Sequence, residues 1–204
     1  MAEKIAIEIY RKKDAEDFTA ALADPESRMK LGSGSAMTAA VASADLERAA
    51  AILAKEDAEN ERLAYVLRNA GILRDYMVRL IDEDVKAHGP LRRAMKEQEP
   101  RAIEAARQTA IAICSEVAAM MGKALEFIEE LAGTKNAEAA CYLAGAMDSA
   151  MGAVRSAMRY KEYFASFSSD ETYRYIISRE NELTLSSYEE LCRNISAKMS
   201  HETN

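Results

Sequence analysis

Apolar residues recur in steps of three and four along most of this chain, which is the pattern of helices that bury one face. From Asn60 to about Ala87 the stripe is Leu63, Leu67, Ala70, Leu73, Met77 and Ile81, and Gly89-Pro90 stops it. Pro100 suits the first turn of the next helix. That helix has the cleanest stripe, Ile103, Ala106, Ala110, Ile113, Val117, Met120, Ala124, Phe127 and Leu131, and Gly133 ends it. A third long helix runs from near Ala137 to about Phe164, with Leu143, Met147, Ala150, Val154 and Ala157 on one face. Shorter elements fill the rest. Asp14 caps a helix that reaches about Ala23, and Asp24-Pro25-Glu26-Ser27 forms a turn. An alanine-rich segment spans Ala36 to Ala54. After a polar break at Ser166 to Asp170 comes a short helix. A last helix then opens at the capping box Ser186-Ser-Tyr-Glu189 and carries Tyr188, Leu191, Ile195 and Met199. Near the start, Ile5, Ile7 and Ile9 alternate with other residues, as in a short extended arm or a frayed helix start. The expectation is an all-α fold, an up-and-down helical bundle with three long helices. It forms a single domain over 1–204, with an N-terminal arm at 1–12 and short C-terminal helices at 166–204.

Composition agrees with this and narrows the function. Only 8 Gly and 3 Pro interrupt 204 residues, and the hydrophobic fraction of 49% is enough for a sizeable core. With no Trp and 6% aromatics, that core is built from Ala, Leu, Ile, Val and Met. A net charge of −7 without a basic stripe argues against nucleic acid as partner. No apolar run reaches the ~18 residues of a membrane span. Met1-Ala-Glu-Lys is not a signal peptide. Cys114, Cys141 and Cys192 are few, odd in number and far apart, which points to a reducing, cytoplasmic location. With no Cys-x-x-Cys pair and only two His, the sequence argues against a structural zinc site, and a ferritin-like metal bundle is rejected because neither His88 nor His201 has a Glu three residues earlier.

Three features carry candidate chemistry. Gly32-Ser33-Gly34-Ser35 is the chain's one Gly/Ser cluster, and it feeds the alanine-rich helix. Such a loop exposes backbone N–H groups to an anion or a carbonyl, or it is an ordinary loop with a Ser cap. Extending the stripe Met77, Ile81 by one step lands on Asp84, and one more reaches His88. On the inward face, this pair holds and relays protons near neutrality. If the helix has already surfaced, it is a solvated end pair instead. Arg92, Arg93, Lys96, Arg101 and Arg107 gather near a helix junction and suit an anionic ligand or a charged surface equally.

Four segments occur in a telling order: Leu31-Gly-Ser-Gly-Ser35 before Ala36-Met-Thr-Ala-Ala40, then Glu83-Asp84-Val85-Lys-Ala-His88, then Arg101-Ala-Ile103, then Gly133-Thr-Lys-Asn136. Over about residues 3 to 165 this order resembles the formiminotetrahydrofolate cyclodeaminases and the related bacterial methenyltetrahydrofolate cyclohydrolases. The resemblance implies a cyclodeaminase-like helical homodimer that takes a tetrahydrofolate derivative as substrate, with no metal or redox cofactor. It casts Asp84 as the acid/base or cation-stabilising carboxylate. Gly32, Ser33, Gly34 and Ser35, with His88, would hold the pterin or the reacting group. Arg92, Arg93 or Arg101 would meet the glutamate tail. Without Trp, a flat pterin would rest mainly on backbone, aliphatic groups and a Tyr.

The chain also departs from the family pattern. Leu31 and Ser33 replace the Pro and the middle Gly of the loop, and Ile52-Leu-Ala-Lys55-Glu-Asp57 stands where the family has Leu-Thr-x-Gly-Lys-Lys. Cys141 falls on an Asp position, and Ser156 and Tyr160 fall on two Asn positions. Two readings follow. The first is a cytoplasmic one-carbon enzyme, either cyclohydrolase or cyclodeaminase. The second is a catalytically lapsed paralogue, a helical dimer that binds a ligand or a protein.

Overall fold

Helices begin where polar side chains can take up unpaired backbone N–H groups. The computed structural model describes residues 9–201. A 3-10 turn at Tyr10–Lys12 comes first. Helix α1 (Ala15–Ala23) opens on Asp14, whose carboxylate accepts from the Asp17 N–H at 2.8 Å. Helix α2 spans Leu31–Glu56. Helix α3 (Glu61–Glu97) opens on Asn60, which accepts from the N–H groups of Arg62 and Leu63. Helix α4 (Pro100–Leu131) has Pro in its first turn, and α5 (Ala137–Ala165) opens on Asn136. Helix α6 spans Glu171–His201.

The expectation of three long helices is corrected: six α-helices are present among the described residues, and five of them are long, at 26, 37, 32, 29 and 31 residues. Three local signals misled. Gly89-Pro90 does not stop α3, which continues to Glu97. Pro90 costs the Lys86 carbonyl its helical partner, but both Gly89 and Pro90 are exposed, so water can take up that carbonyl. Leu91 and Ala94 beyond them are buried and hold the last turns down. The Gly/Ser cluster is not a loop but the first turn of α2. The short C-terminal helices are one continuous helix, α6, and the Ser186-Ser-Tyr-Glu189 segment lies inside it. Of the N-terminal arm, Ile5 and Ile7 lie outside the described residues.

Helix α2 runs through the middle, packed against α3 and α5 and touching α4, while α6 covers α4 and α5. Its buried positions are nearly all small: Ala36, Ala39, Ala40, Ala42, Ala49 and Ala50 surround Leu46. Small side chains let neighbouring helices approach on several sides at once. Leu46, Val66, Met77, Ile81, Val117, Leu125, Ile128, Leu143 and Val154 then form one continuous core. Among the described residues no helix is long and apolar enough to cross a membrane.

Leu46 is fully buried at this crossing. Leu46→Ala is expected to lower stability by about 2–5 kcal/mol in urea unfolding. A midpoint equal to that of the unchanged protein would contradict the central place given to α2.

Candidate functional site

Helix α2 buries Gly32, Ser33 and Ser35 of its first turn, and its preceding residue, Lys30, makes no side-chain cap. The cap comes from another helix. Asp84 of α3 is fully buried. Its Oδ2 accepts from the Ser33 backbone N–H at 2.8 Å and from the Ser33 hydroxyl at 2.7 Å. Negative charge is favourable at a helix N-terminus, and a buried carboxylate needs donors, so each feature offsets the cost of the other. Gly32 permits the contact: a Cβ at that position would run into the Asp84 carboxylate. Ser35 bonds the Leu31 carbonyl and the Ser156 hydroxyl, both at 2.9 Å.

The second oxygen of Asp84, Oδ1, is buried and accepts no hydrogen bond. His88, one turn further along α3, brings its Nε2 to 3.4 Å from Oδ1 and to 3.3 Å from the Tyr160 hydroxyl. The first contact is within ion-pair range but lacks hydrogen-bond geometry. Burial first, and then the charge of Asp84, push the Tyr160 hydroxyl above its ordinary pKa, so it stays a neutral O–H. The Cys114 thiol of α4 is pushed up to about 12 by the same two causes in the same order.

His88 and Tyr160 open onto a cavity of about 980 Å³, large enough for a drug-sized ligand. Part of its wall is aromatic. Tyr160, Tyr163 and Phe164 recur at helical spacing at the end of α5, and Phe167 follows in the turn just beyond it. The rings of Tyr160 and Tyr163 lie within 8° of parallel at 6.0 Å, and Phe164 sits 4.5 Å from Tyr160 and 5.5 Å from His88. Another part is basic, with Arg92, Arg93 and Lys96 from α3, Arg107 from α4, and Arg28 and Lys30 from the segment before α2. Tyr10 also lines it. Its turn is tied to α3 by Asp82, whose Oδ1 accepts from the N–H groups of Tyr10 at 2.9 Å and Arg11 at 3.2 Å. The Arg11 guanidinium adds an ion pair to the same carboxylate at 3.3 Å.

The structure thus sorts the residues singled out from the sequence. His88, Arg92 and Arg93 line the cavity. Asp84 lies behind His88, and Gly32, Ser33, Gly34 and Ser35 do not line the cavity either; Ser33 sits against Asp84. Arg101 is exposed in the first turn of α4 and is not part of the lining. Cys141 is exposed on α5, also outside it. Sequence reasoning missed Tyr10, Arg28, Lys30 and the aromatic wall. The wall did leave a signal, since Tyr160, Tyr163, Phe164 and Phe167 have the spacing of one helix face. A flat ligand therefore has an aromatic surface available, not mainly backbone and aliphatic groups.

Gly32→Ala should force Asp84 away from Ser33 and lower stability by about 1–3 kcal/mol. Chemical unfolding measures this directly, and an unchanged midpoint would contradict the close approach of Asp84 to α2.

Comparison with known proteins fits this architecture. The formiminotransferase-cyclodeaminase family model matches residues 14–181. That range holds every residue named in the cavity wall except Tyr10. No curated protein matches the chain. Among solved structures, the formiminotetrahydrofolate cyclodeaminase of Thermotoga maritima superposes with a TM-score of 0.84. The match is 19% identical and covers 95% of this chain and 98% of that one. At that identity the likeness establishes the fold and not the role of any residue. The family match extends from α1 into α6, over most of the chain, and by it this protein belongs to the formiminotransferase-cyclodeaminase family.

Proposed function

We propose that the protein is a cytosolic folate one-carbon enzyme whose reaction takes place in the cavity at His88. One observation carries this reading: a buried carboxylate with a free oxygen stands behind a cavity-lining histidine. In the cyclohydrolase reaction, water adds to the methenyl carbon between two nitrogens and the ring opens to a formyl group. In the cyclodeaminase reaction, the ring closes with loss of ammonia. Both require proton transfer beside that carbon. His88 is placed to take a proton from water or give one to departing ammonia, and Asp84 stabilises the resulting imidazolium. The charge of Asp84 also favours a cationic methenyl group nearby. Tyr163 and Phe167 offer a face to the pterin ring, and Arg92 and Arg93 meet the carboxylates of the glutamate tail. In this reading Gly32 to Ser35 act at one remove, by holding Asp84.

The purified protein should accelerate the loss of the near-ultraviolet absorbance of methenyltetrahydrofolate, or the appearance of that absorbance from formiminotetrahydrofolate. Asp84→Asn keeps an acceptor for Ser33 but loses the charge, and His88→Gln loses the titrating ring. Each should slow turnover by about 10²–10⁴-fold with helicity intact. No acceleration over buffer, together with no folate binding by calorimetry, would overturn the proposal. Binding without turnover would instead favour the lapsed paralogue, a reading supported by Cys141 at a family Asp position and by Ser156 and Tyr160 at two family Asn positions.

The family resemblance also implies a homodimer. Sedimentation at micromolar concentration should show twice the chain mass of 22.5 kDa. A monomer alone would reject that part.

A further inference from the structure

We propose that Tyr160 is a positioning residue, whose hydroxyl accepts from the Nε2–H of His88 and thereby leaves Nδ1 as the basic nitrogen for the cavity. This rests on the reading of His88 as the proton-transferring group and adds which nitrogen reacts and what fixes it.

A neutral imidazole carries a single proton, on one nitrogen or the other. In this protein Nε2 faces two oxygens, Oδ1 of Asp84 at 3.4 Å and the hydroxyl of Tyr160 at 3.3 Å. Nδ1 makes no hydrogen bond among the described residues. A proton on Nδ1 would set the Nε2 lone pair against a buried carboxylate oxygen that has no donor. A proton on Nε2 lies instead between two acceptors. Oδ1 alone does not meet it with hydrogen-bond geometry, so the Tyr160 oxygen is the second half of the cradle.

Tyr160 is built for a fixed position. It is 8% exposed, and its ring is held by the stack on Tyr163 and by Phe164. Other ionisable groups stand around it. Asp84 comes from α3, Cys114 from α4 and Tyr163 from α5, and beside Cys114 stands Lys161 of α5, paired to Glu180 of α6 at 2.8 Å. Burial and the charge of Asp84 keep the Tyr160 hydroxyl protonated. An oxygen that accepts from His88 can then turn its own O–H toward the cavity that it lines.

The chain has only two histidines, His88 and His201, so their ring nitrogens can be followed by long-range proton–nitrogen NMR, with His201→Gln giving the assignment. The expected spectrum of the unaltered protein shows His88 in the Nε2–H form alone. Tyr160→Phe keeps the ring and its stacking but should give a mixture of the two tautomers. The same variant should lose about five- to tenfold in kcat, the effect of one hydrogen bond, with KM changed by less than about twofold. His88 in the Nδ1–H form in the unaltered protein would overturn the proposal without any variant. Identical His88 spectra, or an unchanged kcat, in Tyr160→Phe would overturn it too. If the unaltered protein turns over no folate, the reaction reading falls, while the NMR result still decides the role of Tyr160.

Discussion

A buried carboxylate at the first turn of a central helix is the contact on which the functional end of this protein depends. Helix α2 is enclosed by α3, α4 and α5, and its first turn is largely buried, with Gly32, Ser33 and Ser35 all out of solvent. Water cannot satisfy the Ser33 N–H there, and Lys30 supplies no cap. Asp84 does both jobs that the position demands, accepting from Ser33 twice and placing negative charge at the positive end of the helix. The consequence reaches back into the sequence. Residue 32 must lack a side chain, residue 33 gains from its hydroxyl, and α3 is locked in register against α2.

The two oxygens of Asp84 differ in what they meet. Oδ2 belongs to α2, while Oδ1 is left without a donor beside His88. Asp82, two residues earlier, is the useful contrast. It is nearly as buried, yet its two oxygens are engaged by Tyr10 and Arg11 in a purely structural tie. An orphaned buried oxygen is costly for folding alone. At Asp84 it sits one helical turn from a histidine that opens on a cavity of about 980 Å³, the placement on which the proposed proton transfer rests.

Much of this was legible in the sequence, and the reasons for the misses are physical. The stripes of α4 and α5 carried their helices to within a residue or two, because each buries one continuous face, while the Asp14 cap and the turn after Ala23 marked α1. Extending the stripe of α3 past Ile81 found Asp84 and His88. The Gly/Ser turn read as a loop because glycine is a poor helix former and serine a middling one. Here those residues are set by the approach of Asp84, a contact 51 residues away along the chain. That Asp84 stands behind the cavity and not in it depends on how α2 and α3 pack, which no single stripe encodes. The basic wall draws on α3, α4 and the segment before α2 and exists only once they are assembled. The aromatic wall was readable at Tyr160, Tyr163, Phe164 and Phe167, but it lies at the end of a stripe whose earlier members are core.

A crystal structure with a bound formyltetrahydrofolate tests the central claim most directly, namely that the cavity at His88 is where the one-carbon group reacts. The account predicts the formyl carbon beside the His88 ring, the glutamate tail toward Arg92 and Arg93, and Asp84 still bonded to Ser33. Folate bound away from His88, or an Asp84 that leaves Ser33 to meet the ligand itself, would contradict it.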